Sequence, residues 1–229
     1  MDRLAENLAL VKARMARAAH AGGRDPADLR LVAVSKGQPA AAIRALHAAG
    51  QRDFGENYLQ EALGNIAVLE GAAGLCWHYI GAIQSNKTAA IARHFAWVQS
   101  VERGKIARRL AAQRPPDYPP LNLCIQVNMD GEPGKAGVEP AGVAELAALI
   151  AELPRVRLRG LMFIPRPAAD MAGQVRGCQR AAALFAELRA QYPAVDTLSL
   201  GMSADLEAAV QAGSSMLRIG TALFGARSG

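Results

Sequence analysis

Lys36 closes the run Leu29-Arg-Leu-Val-Ala-Val-Ser35 and is followed by Gly37. A lysine at the end of so apolar a strand is withdrawn from water, which favours the neutral amine, a nucleophile towards aldehydes. Alone, such a lysine is explained as well by a side chain that snorkels from a strand end into solvent. A second group of residues lies near the end of the chain. Gly201-Met-Ser203 precedes a short helical pattern, so the Ser203 hydroxyl and helix-start N–H groups can hold an anion. Further on, Leu217-Arg-Ile-Gly-Thr221 ends an apolar stretch, and the backbone amides of Gly220 and Thr221 can approach a phosphate without a Cβ between them. Taken singly, Ser203 reads as an N-cap and Gly220 as a turn. An imine-forming lysine and a phosphate cradle together describe a pocket for pyridoxal 5′-phosphate.

Other chemistries find less support. Four histidines and three cysteines show no metal-ligand spacing, so no metal site is expected. His78, inside a strand pattern with no carboxylate close in sequence, reads as a hydrogen-bonded core residue. The loop Gly131-Glu-Pro-Gly-Lys-Ala136 lacks the spacing of a nucleotide-binding loop and its final Ser or Thr. The net charge of +6 and a pI near 9.6 admit nucleic acid as a partner. Yet the basic residues are dispersed, dense only over Arg103–Arg114 and Arg155–Arg159, and aromatics do not interleave with them, so no nucleic acid is expected. The first residues alternate charged and apolar types, unlike a signal peptide, and no run reaches the roughly 18 apolar residues of a membrane span. Scattered Cys76, Cys124 and Cys178 read as reduced thiols, which with the rest predicts a cytoplasmic protein that meets no membrane.

The elements that must position these residues alternate along the chain. Leu4, Leu8, Val11 and Met15 mark an opening helix. Strands are then predicted at Leu29–Ser35, Arg52–Gly55, Cys76–Gly81, Ala96–Gln99, Leu121–Val127, Leu158–Ile164, Thr197–Leu200 and Ser215–Ile219. Helices fall between them, including one that Ser85 caps, one over Val101–Gln113 and a short one over Ser203–Gln211. Eight strand–helix units in 229 residues predict an α/β fold, a single (β/α)8 TIM barrel over residues 1–229 with an extra N-terminal helix. The C-terminal strand ends, where such barrels carry their sites, hold Lys36, Glu56, Asn57, Gly81 with Gln84, Asn128, Met162, Ser203, Gly220 and Thr221. Glu56 and Asn57 are expected to organise the pocket floor, with Asn57 touching the cofactor or Lys36. Met162 and Met202 are expected to pack.

The motifs Ala33-Val-Ser-Lys36, Phe54-Gly-Glu-Asn-Tyr58, Trp77-His-Tyr-Ile-Gly-Ala-Ile-Gln-Ser-Asn-Lys87, Leu198-Ser-Leu-Gly-Met-Ser203 and Arg218-Ile-Gly-Thr-Ala-Leu-Phe-Gly225 resemble, in order, those of the pyridoxal phosphate homeostasis protein family. The resemblance runs from Leu31 to Arg227. It implies a barrel like the alanine racemase N-terminal domain, pyridoxal 5′-phosphate held as a Schiff base on Lys36, phosphate contacts from Ser203, Gly220 and Thr221, and Arg218 beside the pyridine nitrogen. The sequence departs from the family at Gln38, where some relatives carry a second lysine, at Phe163 and Arg166, and at Ala204. Lys135 is a weaker candidate for cofactor handling.

A guanidinium beside the pyridine nitrogen keeps the ring unprotonated, which makes it a poorer electron sink than one paired with a carboxylate. Racemases of this fold share that arginine but add a second domain that brings a tyrosine opposite the lysine. Here 229 residues leave no length for one, and only Tyr58 and Tyr79 lie near strand ends. The function expected is therefore a non-catalytic, monomeric carrier of pyridoxal phosphate that supplies apo-enzymes. A small amino-acid racemase or lyase is the alternative.

Overall fold

The computed structural model describes residues 2–132, 134–168 and 170–225. Pro133 of the glycine-rich loop and Arg227, where the family-like stretch ends, lie outside them. Eight parallel strands close a barrel in chain order: β1 Arg30–Val34, β2 Asp53–Glu56, β3 Cys76–Tyr79, β4 Trp97–Val101, β5 Leu121–Val127, β6 Val156–Phe163, β7 Thr197–Ser199 and β8 Met216–Ile219. β8 pairs with β1 through Arg30↔Met216 to Ala33↔Ile219, so no strand edge is left open. Helix α1, Asp2–Ala21, precedes the barrel. Each strand is followed by a helix: α2 Ala40–Ala48, α3 Leu59–Val68, α4 Thr88–His94, α5 Gly104–Gln113, α6 Val143–Ala151, α7 Met171–Gln191, α8 Leu206–Gln211 and α9 Thr221–Phe224.

Side-chain alternation splits the apolar residues in two. Leu31, Ala33, Leu121, Leu123 and Ile125 face outward into the core shared with the helices. Val32, Trp97, Cys124, Met162 and Met216 form a separate buried cluster, the interior of the barrel. On α1, Leu8, Val11, Met15 and Ala19 recur at helical spacing and are buried against the ring. Burying such a side chain as Leu8 or Met15 contributes about 1.5–3 kcal/mol. Asn7 Nδ2 donates to Leu223 O at 2.7 Å, and Arg14 pairs with Glu207 at 2.8 Å, tying α1 to α9 and α8.

Three predicted helix starts shift. Ser85 opens a 3-10 turn, Ser85–Lys87, rather than capping α4, because its carbonyl takes the Thr88 hydroxyl at 2.9 Å. Val101 ends β4 and α5 begins only at Gly104, since a bulge between Val98 and Val101 lengthens the strand. Ser203 lies in a turn, with α8 starting at Leu206. Asp205 holds that turn by accepting from Met202 N at 2.6 Å, which delays the helix.

Candidate cofactor-binding site

A cavity of about 300 Å³ opens at the C-terminal ends of the strands, at the small end of the ligand-pocket range. Lys36, Asn57, Ser203, Arg218, Gly220 and Thr221, predicted from sequence, all line it. Val34, Ile80, Met162 and Ile164 supply an apolar wall, and Met202 stands at the rim. Met162 is buried in the barrel interior, as a packing role requires.

Each polar group is held by its element. Lys36 is half-buried in a turn beyond β1, closed by Gln38 N–H to Ser35 O at 2.9 Å, with Gly37 at φ +72°. That left-handed backbone is the reason for a glycine after the lysine. Asn57 follows β2, and its Oδ1 is a buried acceptor without a hydrogen-bond partner. Gly81, after β3, lets the two chains pass: a Cβ there would lie 2.0 Å from Asn57 O.

Arg218, on β8, is buried and donates from Nη1 to Ser199 Oγ at 2.7 Å and from Nη2 to Phe163 O at 2.9 Å. Burial lowers it to about 10, so it stays charged at neutral pH. Ser203 does not sit at a helix start as predicted. Its Oγ accepts from Ala222 N at 3.2 Å, across to the first turn of α9, an element the sequence pattern did not announce. A Cβ on Gly220 would meet Val34 only at ordinary contact distance, 3.5 Å, so its packing leaves room for a small side chain. An orphaned acceptor at Asn57, a buried guanidinium with N–H groups beyond those given to Ser199 and Phe163, and an apolar wall fit a small aromatic aldehyde bearing a phosphate.

Some expectations need correction. Glu56 does not line the cavity. It is fully buried behind the Lys36 turn, where Ser35 Oγ donates to its Oε1 at 2.6 Å. Burial pushes its carboxyl up to about 7, with the Ser35 bond only partly opposing. His78 has a carboxylate after all: its Nε2 lies 2.8 Å from Asp53 Oδ1 on the neighbouring strand. Burial lowers the His78 pKa, with Asp53 acting in the opposite direction. Cys76 joins the pair, and Asp53, Cys76 and His78 place ligand-type atoms within 4.8 Å of one another. Sequence spacing hid that cluster because strand pairing, Asp53↔Cys76, brings it together. Burial first, and then Asp53, push the Cys76 thiol up to about 12, so it remains protonated.

Lys135 lies away from the cavity, paired to Glu132 at 2.9 Å, and Arg166 shares that carboxylate at 2.9 Å. Arg114, from the densest basic stretch, is buried and donates to Ala92 O, Phe95 O and Pro119 O. It caps backbone rather than offering a surface charge. Tyr79 donates its hydroxyl to Ala82 O at 3.0 Å, and Tyr58 is exposed. Neither lines the cavity.

At the other end of the barrel a larger cleft, about 660 Å³, is lined by the strand starts Arg30, Asp53, Thr197 and Met216 and by Arg159 and Asp196. No described helix is long and apolar enough to cross a membrane.

The family described as alanine racemase, N-terminal domain, matches residues 1–228. The pyridoxal phosphate homeostasis protein of Pseudomonas aeruginosa is 56% identical over 227 residues, covering 99% of this chain and 97% of that protein. The protein of the same name from Escherichia coli K12 is 51% identical over 229 residues, covering 99% and 98%. Among solved structures, PipY of Synechococcus elongatus PCC7942 with PLP bound superposes with a TM-score of 0.85 at 37% identity, over 97% of this chain and all of that one.

Proposed function

The chain belongs to the pyridoxal phosphate homeostasis proteins, built on the alanine racemase N-terminal domain, and we propose that it binds pyridoxal 5′-phosphate, holds it covalently on Lys36 and supplies it to apo-enzymes without turnover. One observation carries the proposal. Among the described residues lining the cavity, the titratable side chains are Lys36 and Arg218 alone.

When bound, the cofactor supplies an electrophilic aldehyde carbon and a ring that withdraws electrons from a joined amine. Lys36 Nζ is the amine that would hold the aldehyde carbon. Arg218 donates to the ring nitrogen and, always charged, disfavours a proton there, which weakens electron withdrawal. Ser203 and the amides of Gly220 and Thr221 hold the phosphate. Asn57 Oδ1 accepts from Lys36 or from a ligand hydroxyl. A racemase needs a second acid–base group on the far face of the ligand, and among the described residues no lining Tyr, His, Asp or Glu provides one. Thr221 and Met202 at the rim are exposed, so the mouth opens to solvent and allows transfer. A monomeric barrel working in the cytoplasm completes the reading.

The protein loaded with pyridoxal phosphate is expected to be yellow, and borohydride followed by peptide mapping is expected to mark Lys36. Colourless protein with no trapped adduct sinks the proposal. Amino acids in deuterated water are expected to exchange Cα–H no faster than with the cofactor alone. Sustained protein-dependent exchange would replace the carrier with the racemase or lyase alternative.

A further inference from the structure

Arg218 is one end of a polar path through the barrel interior. Its Nη1 reaches Ser199 Oγ on β7 at 2.7 Å, and Ser199 Oγ reaches Gln99 Oε1 on β4 at 2.6 Å. Gln99 Nε2 lies 2.9 Å from His78 Nδ1 on β3, and His78 Nε2 lies 2.8 Å from Asp53 Oδ1 at the start of β2. Ser199, Gln99 and His78 are fully buried and Arg218 nearly so, whereas Asp53 borders the cleft at the opposite end.

The two ends determine the direction of every bond. A guanidinium only donates, so Ser199 Oγ accepts from Arg218 and must turn its own hydrogen to Gln99 Oε1. The Gln99 amide is thereby oriented, and its Nε2 faces His78 Nδ1. The second amide hydrogen falls to Met216 Sδ at 3.2 Å, so both are used. His78 Nδ1 therefore accepts, its ring proton sits on Nε2, and that proton points to a carboxylate, which only accepts. Stacking of the His78 ring on Trp97, with centroids 5.4 Å apart and planes 14° apart, keeps the imidazole in the plane the two bonds need. Reversing the path would require Arg218 to accept a hydrogen bond, which it cannot do.

We propose that Asp53, outside the cofactor cavity, is a positioning residue for Arg218, acting through His78, Gln99 and Ser199. The inference rests on the reading that Arg218 meets the cofactor's ring nitrogen. With Nη1 held by the path and Nη2 by Phe163 O, the guanidinium presents one fixed edge to the cavity. Breaking the path at its far end lets the Ser199 and Gln99 hydrogens reorient and loosens that edge.

A double-mutant cycle on pyridoxal phosphate affinity, with the absorption maximum of the loaded protein as a second readout, tests the coupling. Asp53→Ala and Ser199→Ala are each expected to weaken binding about three- to tenfold, less than the loss of a charge-assisted hydrogen bond to the cofactor itself, because each acts only on the orientation of Arg218. Both are expected to move the absorption maximum in the same direction. The double variant is expected to be no weaker than Ser199→Ala alone, although the two side chains do not touch. Asp53→Asn, which keeps an acceptor oxygen, is expected to restore most of the wild-type spectrum. Effects that multiply, or an Asp53→Ala spectrum identical to wild type, overturn the proposal. In cofactor-free wild-type protein, ¹⁵N NMR of His78 is expected to show the Nε2–H tautomer, and an Nδ1–H tautomer overturns the path without any variant having to fold. Wild-type protein that traps nothing at Lys36 overturns the cofactor reading instead, a result the His78 tautomer does not depend on.

Discussion

The two ends of the barrel hold similar residue types and treat them in opposite ways. At the N-terminal end the charges satisfy one another. Arg159 meets Asp196 and donates to Asn122 Oδ1 at 2.7 Å, Asp53 takes His78, and the Arg30 and Arg159 guanidinia lie over the Trp97 ring at 5.2 and 4.7 Å. The C-terminal mouth is different. Asn57 Oδ1 has no partner, and the buried Arg218 makes no ion pair among the described residues. The larger cleft therefore lies beside paired charges, and the smaller cavity beside a buried acceptor without a partner. Volume is the poorer guide to a ligand site here. A buried polar atom left without a partner costs about 1–3 kcal/mol, a cost that a bound ligand can offset.

Removing the central group at each end should break the comparison most completely if it is wrong. Lys36→Ala is expected to abolish the visible absorbance and the borohydride-trapped adduct. Arg159→Ala, at the other end, is expected to keep both. An adduct that survives Lys36→Ala, or is lost with Arg159→Ala, would place the chemistry elsewhere.

Gly81→Ala comes next. The added Cβ would sit 2.0 Å from Asn57 O and 2.8 Å from its carbonyl carbon, contacts that only a backbone shift can relieve. A loss of more than about 3 kcal/mol in chemical denaturation is expected, beyond ordinary overpacking. Gly64→Ala is the control. It lies within α3 with nothing within 4 Å of the added carbon, so a gain of about 0.5–1 kcal/mol is expected.

Glu56 shows how the mouth is braced from behind. Its folded-state value of about 7 exceeds the unfolded value of 4.5, so the folded protein binds the extra proton between those limits. Stability should then fall as pH rises from about 4.5 to 7 and level off above, by about 3 kcal/mol in all. Glu56→Gln keeps an oxygen for Ser35 Oγ and cannot ionise, so its denaturation midpoint should lose this part of the pH dependence. An unchanged profile would mean that Glu56 is ionised in the folded protein.

What the sequence made legible follows from the range over which each signal acts. The Lys36 strand end, the β5 run and the α1 stripe are local patterns, and the structure places them within a few residues of expectation. The eight-fold alternation carried the barrel, since only one closed arrangement suits so many parallel units. Pairing across strands was invisible. Asp53 and His78 lie 25 residues apart and Gln99 and Ser199 lie 100 apart, so only barrel closure brings them together. Glu56 supports the Lys36 turn from behind rather than lining the pocket: with period-two alternation, neighbours in one strand end face opposite sides, so Glu56 and Asn57 could not both face the cavity. The sequence pattern extends the helix back to Ser203 because Asp205, which holds the turn before α8, resembles an ordinary first-turn acid.

The smallest effect lies at the N-terminal end. The Asp196 side chain is 53% exposed and meets Arg159, while its Oδ1 also accepts from Thr197 Oγ1 at 2.7 Å. Burial works against the carboxylate, but Arg159 outweighs it and holds the carboxyl below its usual range. A carboxyl so lowered contributes stability that is present above its unfolded pKa and lost as pH falls through the folded one, so the pair's contribution should be complete above about pH 4 and fade below it. Solvent screens a pair so exposed, and Asp196→Asn is expected to cost less than about 1 kcal/mol near neutral pH and less still in high salt. The Lys36 adduct should be unaffected, because Asp196 takes no part in the hydrogen bonds that hold Arg218. If Asp196→Asn weakened cofactor binding as much as Ser199→Ala, the charges at this end would be acting through the barrel as a whole field, and the distinction between its two ends would fail.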